Sequence, residues 1–376
     1  MAPRGPSEMK RYKAFDPPEY QQWQPDPQVM ANYQQKIEQH DLAASVENLG
    51  SSGLARLYQG LVRARLHDIT LKRWVMTGVI SKAWLGYGEE AVTVGACHAL
   101  EPGDIVGPMI RNAAATFERG IPIVESFRSY LATGDGLTKG RDLHFGDLQH
   151  GVVAPISHVG DLVPVCCGFA LAFQLEQRSN VALTWVGDGA TRTGAVHEGL
   201  SMASSRSLPL IVIVEDNAVA LGTRKDERLD RSLSAIAVSH GAIGLECDGN
   251  HVIDVHAKVS RARSICLEGG GPVIILARTF RFCGHATHDE AEARELFDQQ
   301  VFDHWAQREP IGCYEEWLKV RQGALEGDPD ETLELLEQEV IKEVEAAAEK
   351  ALESKKNSPP DTDAMLGDVF AEQEDA

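Results

Sequence analysis

The chain contains 376 residues, of which 43% are hydrophobic, and carries a formal net charge of −20 at pH 7. This apolar content is sufficient for one large core, alone or with a small appendage. The negative charge would repel a phosphate backbone, which argues against a nucleic-acid partner. The sequence has no run of about 18 apolar residues, so no membrane-spanning helix is expected.

The N-terminal sequence and the cysteines predict the cellular location. The opening segment MAPRGPSEMKRYK lacks the apolar region of a secretory signal. The seven cysteines are odd in number and include no Cys-x-x-Cys pair, so neither a disulfide framework nor a structural zinc site is expected. These features predict a cytoplasmic protein with reduced thiols.

Three regions are expected along the chain. Residues 1–45, rich in Pro, Gln and Tyr, predict an extended N-terminal arm. Residues 46–322 are expected to form one α/β domain, which opens with a helical period from Leu54 to about Val79. Residues 323–376 predict an acidic C-terminal helix, with Leu333, Leu336, Val340 and Val344 on its apolar face, and a tail. The apolar tail residues expected to dock are Met365, Leu366, Val369 and Phe370.

Within the middle region, short apolar runs alternate with helical segments. Strands are predicted at Ile105–Val106, Val181–Val186, Leu210–Val214 and Val273–Ala277, and helices at Asp161–Gln177, Ala195–Ser205 and His251–Cys266. This alternation indicates an α/β fold with a parallel sheet covered by helices on both faces. Ligands of such sheets bind beyond the carboxyl ends of the strands.

One strand of this sheet ends in Gly187-Asp188-Gly189, and the next ends just before Asn217. Asp188 and Asn217 are 29 residues apart, close to the length of about 30 residues that one strand–helix–strand unit needs. Their side chains are therefore expected at the same edge of neighbouring strands. The two glycines would let the backbone approach a diphosphate closely, and the following helix would present its positive N-terminal end.

The residue types at this edge favour magnesium, which prefers oxygen ligands and usually keeps phosphates and water among them. Asp188 offers a carboxylate oxygen, Asn217 an amide oxygen and Val219 a backbone carbonyl. The sequence therefore predicts a magnesium–diphosphate site, whereas Gly-Asp-Gly alone would be an ordinary turn.

The segment from Gly187 to Thr223, GDGATRTGAVHEGLSMASSRSLPLIVIVEDNAVALGT, resembles the thiamine diphosphate motif. In detail it is similar to the alpha subunits of 2-oxo acid dehydrogenases, which act on pyruvate, branched-chain 2-oxo acids or acetoin. The resemblance covers roughly residues 50–372 and implies the thiamine-diphosphate-binding fold, with thiamine diphosphate and Mg²⁺ as cofactors. Asp216 stands where the family usually has Asn, and the added acid is expected to weaken diphosphate binding modestly.

Further segments match the same family. Arg111 follows the strand DIVGP and occupies the place of the family's diphosphate-binding arginine, whose planar fork pairs two oxygens. Ile110 replaces the Tyr that often precedes it, so one phosphate hydrogen bond is expected to be missing. In the segment KGRDLHFGDLQHGVVAPISHVGD, Ser157 and Val159 occupy the positions that contact the aminopyrimidine ring of the cofactor.

The segment RTFRFCGHATHDEAEAR resembles the family's active-site loop, and His285 matches its catalytic histidine. A histidine titrates near neutral pH and can serve as acid or base. His288 is a weaker candidate for a role. Ala286 occupies the position of a regulatory phosphoserine in some animal members, so that control is not expected here.

The resemblance implies oxidative decarboxylation of a 2-oxo acid and acyl transfer to the lipoyl groups of an acyltransferase core. It also implies a separate beta subunit, in an assembly of two alpha and two beta chains, because no segment resembles the beta domain. Three alternatives stay open: an acetoin dehydrogenase alpha subunit, the cofactor half of a split transketolase, and a non-catalytic assembly or regulatory subunit. The substrate itself is not identified.

Overall fold

A computed structural model describes residues 26–225 and 235–362, which contain thirteen α-helices and seven strands. The helices are α1 (Pro27–Ile37), α2 (His40–Met76), α3 (Glu90–His98), α4 (Ala114–Glu118), α5 (Ile123–Leu131), α6 (Leu162–Leu175), α7 (Gly194–Ser205), α8 (Ala235–Ser239), α9 (Val252–Leu267), α10 (Glu290–Glu295), α11 (Gln299–Ala306), α12 (Pro310–Val320) and α13 (Pro329–Asn357). The strands are β1 (Ile105–Gly107), β2 (Ala182–Gly187), β3 (Leu210–Asp216), β4 (Val219–Ala220), β5 (Thr223–Arg224), β6 (Ile243–Asp248) and β7 (Val273–Arg278).

The central sheet has five strands in the order β1-β2-β3-β7-β6, and each neighbouring pair is parallel. All seven residues of β3 are buried, as expected for a strand covered on both faces. Side chains alternate across it: Ile211 and Ile213 pack into the cluster that contains α9, whereas Val212 and Val214 pack into the cluster that contains α6 and α7. The predicted α/β class and its four apolar strands are confirmed.

The strand β6 was not among the predicted strands. It lies at one edge of the sheet, and most of its residues are exposed or half-buried. An edge strand needs no continuous apolar run, so its sequence, IGLECD, does not stand out from a loop.

The N-terminal region differs from the predicted extended arm over the part that the structure describes. Asp26 accepts hydrogen bonds from the first turn of α1, and Pro27 starts that helix, where its missing N–H costs nothing. Tyr33 is buried and its ring stacks on His251 at 3.7 Å between centroids. Proline-rich composition was therefore misleading, because proline is compatible with the first helical turn. Residues 1–25 lie outside the described residues.

The predicted C-terminal helix is present as α13. Leu333, Val340 and Val344 are buried on its inner face and Leu336 is half-buried. This face packs against α2 and α5. The tail residues expected to dock lie outside the described residues. Among the helices of residues 26–225 and 235–362, none is long and apolar enough to cross a membrane.

A buried ion cluster joins three helices next to the sheet. The guanidinium of Arg65, on α2, is fully buried and lies 2.5 Å from Glu90 at the start of α3 and 2.7 Å from Glu309 at the start of α12. It also stacks over the ring of Tyr87 at 4.0 Å. The cluster therefore fixes where α3 begins.

Replacing Arg65 by Ala should lower the free energy of unfolding by about 3–5 kcal/mol, because two carboxylates would stay buried without their partner. Urea denaturation measures the loss. As a control, Arg278→Ala removes an ion pair with Glu246 in which both side chains are largely exposed, and its effect should stay within about 1 kcal/mol. Equal losses in the two variants would contradict the structural role of Arg65.

Candidate active site

Two of the predicted metal ligands lie at the carboxyl edge of the sheet. The register pairs Gly187 of β2 with Glu215 of β3, and the backbone N–H of Asp188 donates to the carbonyl of Glu215 at 3.2 Å. Asn217 follows β3 directly, and both Asp188 and Asn217 are buried. The structure thus places these two residues at the ends of neighbouring strands, as their spacing predicts.

Local hydrogen bonds orient both side chains. The carboxylate of Asp188 accepts from the N–H of Gly189 at 2.7 Å. The amide oxygen of Asn217 accepts from the N–H of Val219 at 3.3 Å. Between them Ala218 adopts a left-handed conformation with φ 65°. Such strain is uncommon for a residue with a Cβ and here turns the chain so that Val219 folds back toward Asn217.

Asp216, which departs from the family pattern, has a partner. Its carboxylate lies 2.5 Å from the ammonium of Lys225, just past the short hairpin of β4 and β5. This ion pair offsets the added negative charge that the sequence analysis expects to weaken diphosphate binding. Lys225 lies nine residues further along the chain, and the hairpin of β4 and β5 returns the chain so that its ammonium reaches Asp216.

Arg111 lies next to this edge and next to the active-site loop. Its Nη1 is 3.5 Å from Nδ1 of His285. A Cβ added at Gly187 would meet nothing closer than Nη2 of Arg111, at 4.0 Å. The space between Gly187 and the guanidinium is therefore open, so a bound group can contact both the strand end and the cation.

Two buried carboxylates that sequence reasoning missed lie beneath Arg111. Oε2 of Glu89 is 3.6 Å from Nε of Arg111, and neither atom has a hydrogen-bond partner. Oε1 of Glu215 accepts from the amide of Asn112 at 2.6 Å. Burial lowers the pKa of Arg111, but Glu89, followed by Glu215, raises it by more, so the guanidinium stays charged. Burial and the neighbouring Glu89 raise the pKa of Glu215 itself to about 8.

Hydrogen bonds join the loop that carries His285 to the segment before α3. The Sγ–H of Cys283 donates to the carbonyl of Leu85 at 3.3 Å, and the N–H of Thr287 donates to the carbonyl of Ala83 at 2.9 Å. A Cβ at Gly284 would collide with the carboxylate of Asp289, so only glycine fits there. These contacts hold His285 beside Arg111.

In the folded protein His285 is less basic than the sequence alone predicts. Burial, followed by the positive charges of Arg111 and Arg281, lowers the pKa of its imidazole to about 4. At neutral pH the ring is therefore uncharged, with one ring nitrogen that accepts a hydrogen bond and one that donates.

Ser157 and Val159 lie in the loop that precedes α6, and both side chains are exposed. A Cβ at Gly160 would contact Thr193 and Val196, so this loop packs against the segment that follows Gly189. The structure thus brings the loop beside the Gly-Asp-Gly turn but leaves the two side chains facing outward.

The residues at this edge fit a magnesium–diphosphate group. They include one carboxylate and one amide oxygen at the ends of neighbouring strands, with an arginine opposite and open space at Gly187. In residues 26–225 and 235–362 no cluster of three or more His, Cys, Asp or Glu side chains could hold a metal alone. Magnesium matches such a sparse set because phosphate and water complete its coordination.

Comparison with known proteins identifies the family. Residues 59–360 match the family model described as dehydrogenase E1 component. The chain belongs to the dehydrogenase E1 component family. Relatives within this E1 family support the assignment, and the resemblance inferred from the motifs is confirmed.

Three E1 relatives illustrate the similarity. The alpha subunit of acetoin:2,6-dichlorophenolindophenol oxidoreductase from Bacillus subtilis is 28% identical over 323 residues, covering 85% of this chain and 93% of the relative. The 2-oxoisovalerate dehydrogenase subunit alpha of the same organism is 27% identical, covering 81% and 90%. The chloroplastic pyruvate dehydrogenase E1 component subunit alpha-3 of Oryza sativa subsp. japonica is 26% identical, covering 84% and 75%.

The pKa of His285 can be tested by titration. Because the folded pKa of about 4 lies below the ordinary value of about 6.5, the contribution of this group to folding is present above pH 6.5 and is lost as the pH falls toward 4. Nitrogen NMR of labelled histidine, assigned with His285→Gln, should show a neutral ring at pH 6. The same resonance in urea-unfolded chain should titrate normally, and a folded midpoint near 6.5 would contradict the expectation.

Proposed function

We propose that this E1 chain is the alpha subunit of a 2-oxo acid dehydrogenase and holds the diphosphate side of thiamine diphosphate. The observation that carries the proposal is the placement of Asp188 and Asn217 at the ends of neighbouring strands, with Arg111 across the open space at Gly187. The reaction is thiamine-dependent oxidative decarboxylation of a 2-oxo acid, with acyl transfer to lipoyl groups. A cytoplasmic location belongs to the same proposal and agrees with seven buried, unpaired cysteines.

The cofactor would be held mainly through its diphosphate. Asp188, Asn217 and the carbonyl of Val219 would bind Mg²⁺, while Arg111 pairs the diphosphate oxygens. Gly187 and Gly189 would allow the diphosphate to approach the backbone. When bound, thiamine diphosphate supplies the carbon nucleophile and electron sink for decarboxylation. All other steps assigned to this chain are binding, orientation and proton handling.

The ring end of the cofactor is less enclosed by this chain. Ser157 and Val159 are proposed to contact the aminopyrimidine, yet both side chains are exposed. His285, neutral and beside Arg111, is proposed to accept or relay a proton near the reacting carbonyl and to receive the lipoyl group. A second protein surface is needed to cover the ring.

An apolar surface next to this opening supports a partner chain. The exposed apolar side chains on the loop and at the start of α6 are Ile156, Val159 and Val165, with 41%, 62% and 41% of their surface exposed. Clustered exposed apolar residues commonly mark protein interfaces. The proposed partners are a separate beta subunit, in an assembly of two alpha and two beta chains, and the lipoyl acyltransferase core.

A non-catalytic role and an acetoin dehydrogenase function are the two alternatives on which the structure bears. The non-catalytic assembly or regulatory role rests on Ile110 and Asp216, but Lys225 offsets the charge of Asp216, which weakens that reading. The acetoin dehydrogenase alternative shares every site residue, so it stays open and is included in the substrate test. Assaying the assembled enzyme against pyruvate, branched-chain 2-oxo acids and acetoin distinguishes the substrates.

Replacing Asp188 by Ala should abolish magnesium-dependent binding of thiamine diphosphate, because Asp188 is the one carboxylate among the three proposed metal ligands. Calorimetry of the assembled enzyme with and without Mg²⁺ measures the loss. Asp330→Ala, which changes a largely exposed acid on α13, should bind as the unmodified enzyme does. Unchanged affinity in the Asp188 variant would remove the central claim.

The isolated chain should show no decarboxylase activity at saturating thiamine diphosphate and Mg²⁺, and activity should appear when its beta subunit is added. When a cofactor is held between two chains, each chain alone binds it weakly. Binding of the cofactor is therefore coupled to assembly of the two chains. Decarboxylation is followed with an artificial electron acceptor. Full activity from the isolated chain would overturn the two-subunit assignment.

A matched pair of surface variants tests where the partner binds. Val165→Glu introduces charge into the exposed apolar face of α6 and should reduce co-purification with the beta subunit. Leu335→Glu makes the same change at an exposed apolar side chain on α13, 61% exposed and outside that surface, and should leave assembly intact.

A further inference from the structure

The inference concerns Glu89, which follows Gly88 and immediately precedes α3. Its side chain is buried, with 2% of its surface exposed. Its Oε1 accepts a hydrogen bond from Nδ2 of Asn217 at 2.7 Å, across 128 positions of sequence. Its Oε2 lies 3.6 Å from Nε of Arg111. One side chain therefore contacts both the proposed metal ligand and the proposed diphosphate ligand.

The contact with Asn217 decides which way that amide points. An asparagine amide has one acceptor end and one donor end, and either end could face the metal. An ionised carboxylate only accepts hydrogen bonds, so Glu89 must face the NH₂ end of Asn217. The amide oxygen is then directed away from Glu89. It accepts one bond, from Val219 at 3.3 Å, and keeps a second lone pair.

Close backbone packing holds the turn that carries Glu89. A Cβ at Gly88 would lie 2.5 Å from the carbonyl of Phe280, and one at Gly86 would lie 2.6 Å from the carbonyl of Arg111. Gly88 also has φ 95°, a conformation that favours glycine. The N–H of Glu89 donates to the carbonyl of Gly86 at 2.9 Å, and Arg65 pairs with the adjacent Glu90.

We infer that Glu89 is a positioning residue, which orients the Asn217 amide oxygen toward the metal and holds the Arg111 guanidinium beside the diphosphate. This inference rests on the proposed function of the same site. The 3.6 Å between Oε2 of Glu89 and Nε of Arg111 is too long for a hydrogen bond, and neither atom has a hydrogen-bond partner. Glu89 therefore balances the charge of Arg111 without occupying the donors that would pair with phosphate oxygens.

The test compares Glu89→Met with Glu89→Gln in the assembled alpha–beta enzyme, and measures thiamine diphosphate binding by calorimetry across a range of Mg²⁺ concentrations. Methionine fills similar space but offers Asn217 no strong acceptor. The Mg²⁺ concentration for half-maximal cofactor binding should rise about tenfold or more, the scale of an unsatisfied buried donor. Glutamine keeps a carbonyl that accepts from Asn217 and should stay within about threefold of the unmodified enzyme.

A double variant keeps the test informative if Glu89→Met does not fold. Asn217→Asp alone places a second carboxylate against Glu89 and should weaken magnesium-dependent binding. Adding Glu89→Gln supplies an NH₂ donor to the new carboxylate and should restore much of the binding. Circular dichroism and urea midpoints establish that each variant is folded.

The outcomes separate this inference from the proposed function. If the unmodified enzyme shows no magnesium-dependent cofactor binding, the proposed function fails. If it does bind, and Glu89→Met binds equally well at low Mg²⁺, Glu89 positions nothing and the inference is overturned. Equal loss in Glu89→Gln and Glu89→Met would overturn the orienting role toward Asn217, because the charge of Glu89 and not its hydrogen-bond acceptor would then be required. Loss in Glu89→Met with retention in Glu89→Gln supports it.

Discussion

The parallel pairing of β2 with β3 is the constraint on which the site depends. Gly187 is held opposite Glu215, so the residue after the first strand and the residue after the second emerge at one edge. Because β2 and β3 are buried, a slip of one residue would move every side chain to the opposite face and disrupt the packing of both apolar clusters, so the pairing is strongly specified. The packing of the core therefore sets the relative positions of the polar side chains at this edge.

That edge brings three ionisable side chains close together in the protein interior, where burial raises the pKa of Glu215 to about 8. Arg111, Glu89 and Glu215 lie together, and an isolated charge in such surroundings would be strongly destabilising. The cost is offset by mutual attraction and by amides, with Asn112 donating to Glu215 and Asn217 donating to Glu89. Atoms left without partners, such as Nε of Arg111, are acceptable where a ligand is expected to bind.

The helices α2, α3 and α12 help to set the position of Glu89. Arg65 on α2 binds Glu90 and Glu309, and thereby joins the start of α3 to the start of α12. Glu89 is the residue directly before Glu90, so the ion cluster and the cofactor edge share one backbone segment. Stability and function are thus coupled through a single turn, in which Gly86 and Gly88 leave room for close backbone contacts. The outward-facing side of the site is left incomplete, which agrees with a partner subunit.

The sequence by itself determined the features that depend on local order. Apolar runs defined the strands of the buried sheet. The separation of 29 positions from Asp188 to Asn217 predicted that they meet, because one strand–helix–strand unit has a characteristic length. The helical period of α13 was equally visible. The N-terminal helix α1 and the edge strand β6 were missed, since proline at a first turn and a half-exposed strand produce no distinctive pattern.

Only the tertiary structure decided which distant residues complete the site. Glu89 reaches Asn217 across 128 positions and Arg111 reaches His285 across 174. No spacing rule links such residues, because their contact depends on the packing of α3 and the active-site loop against the sheet. The state of His285 was decided in the same way. An isolated histidine titrates near neutral pH, but burial beside Arg111 and Arg281 lowers its pKa to about 4, and burial is a property of the folded chain alone.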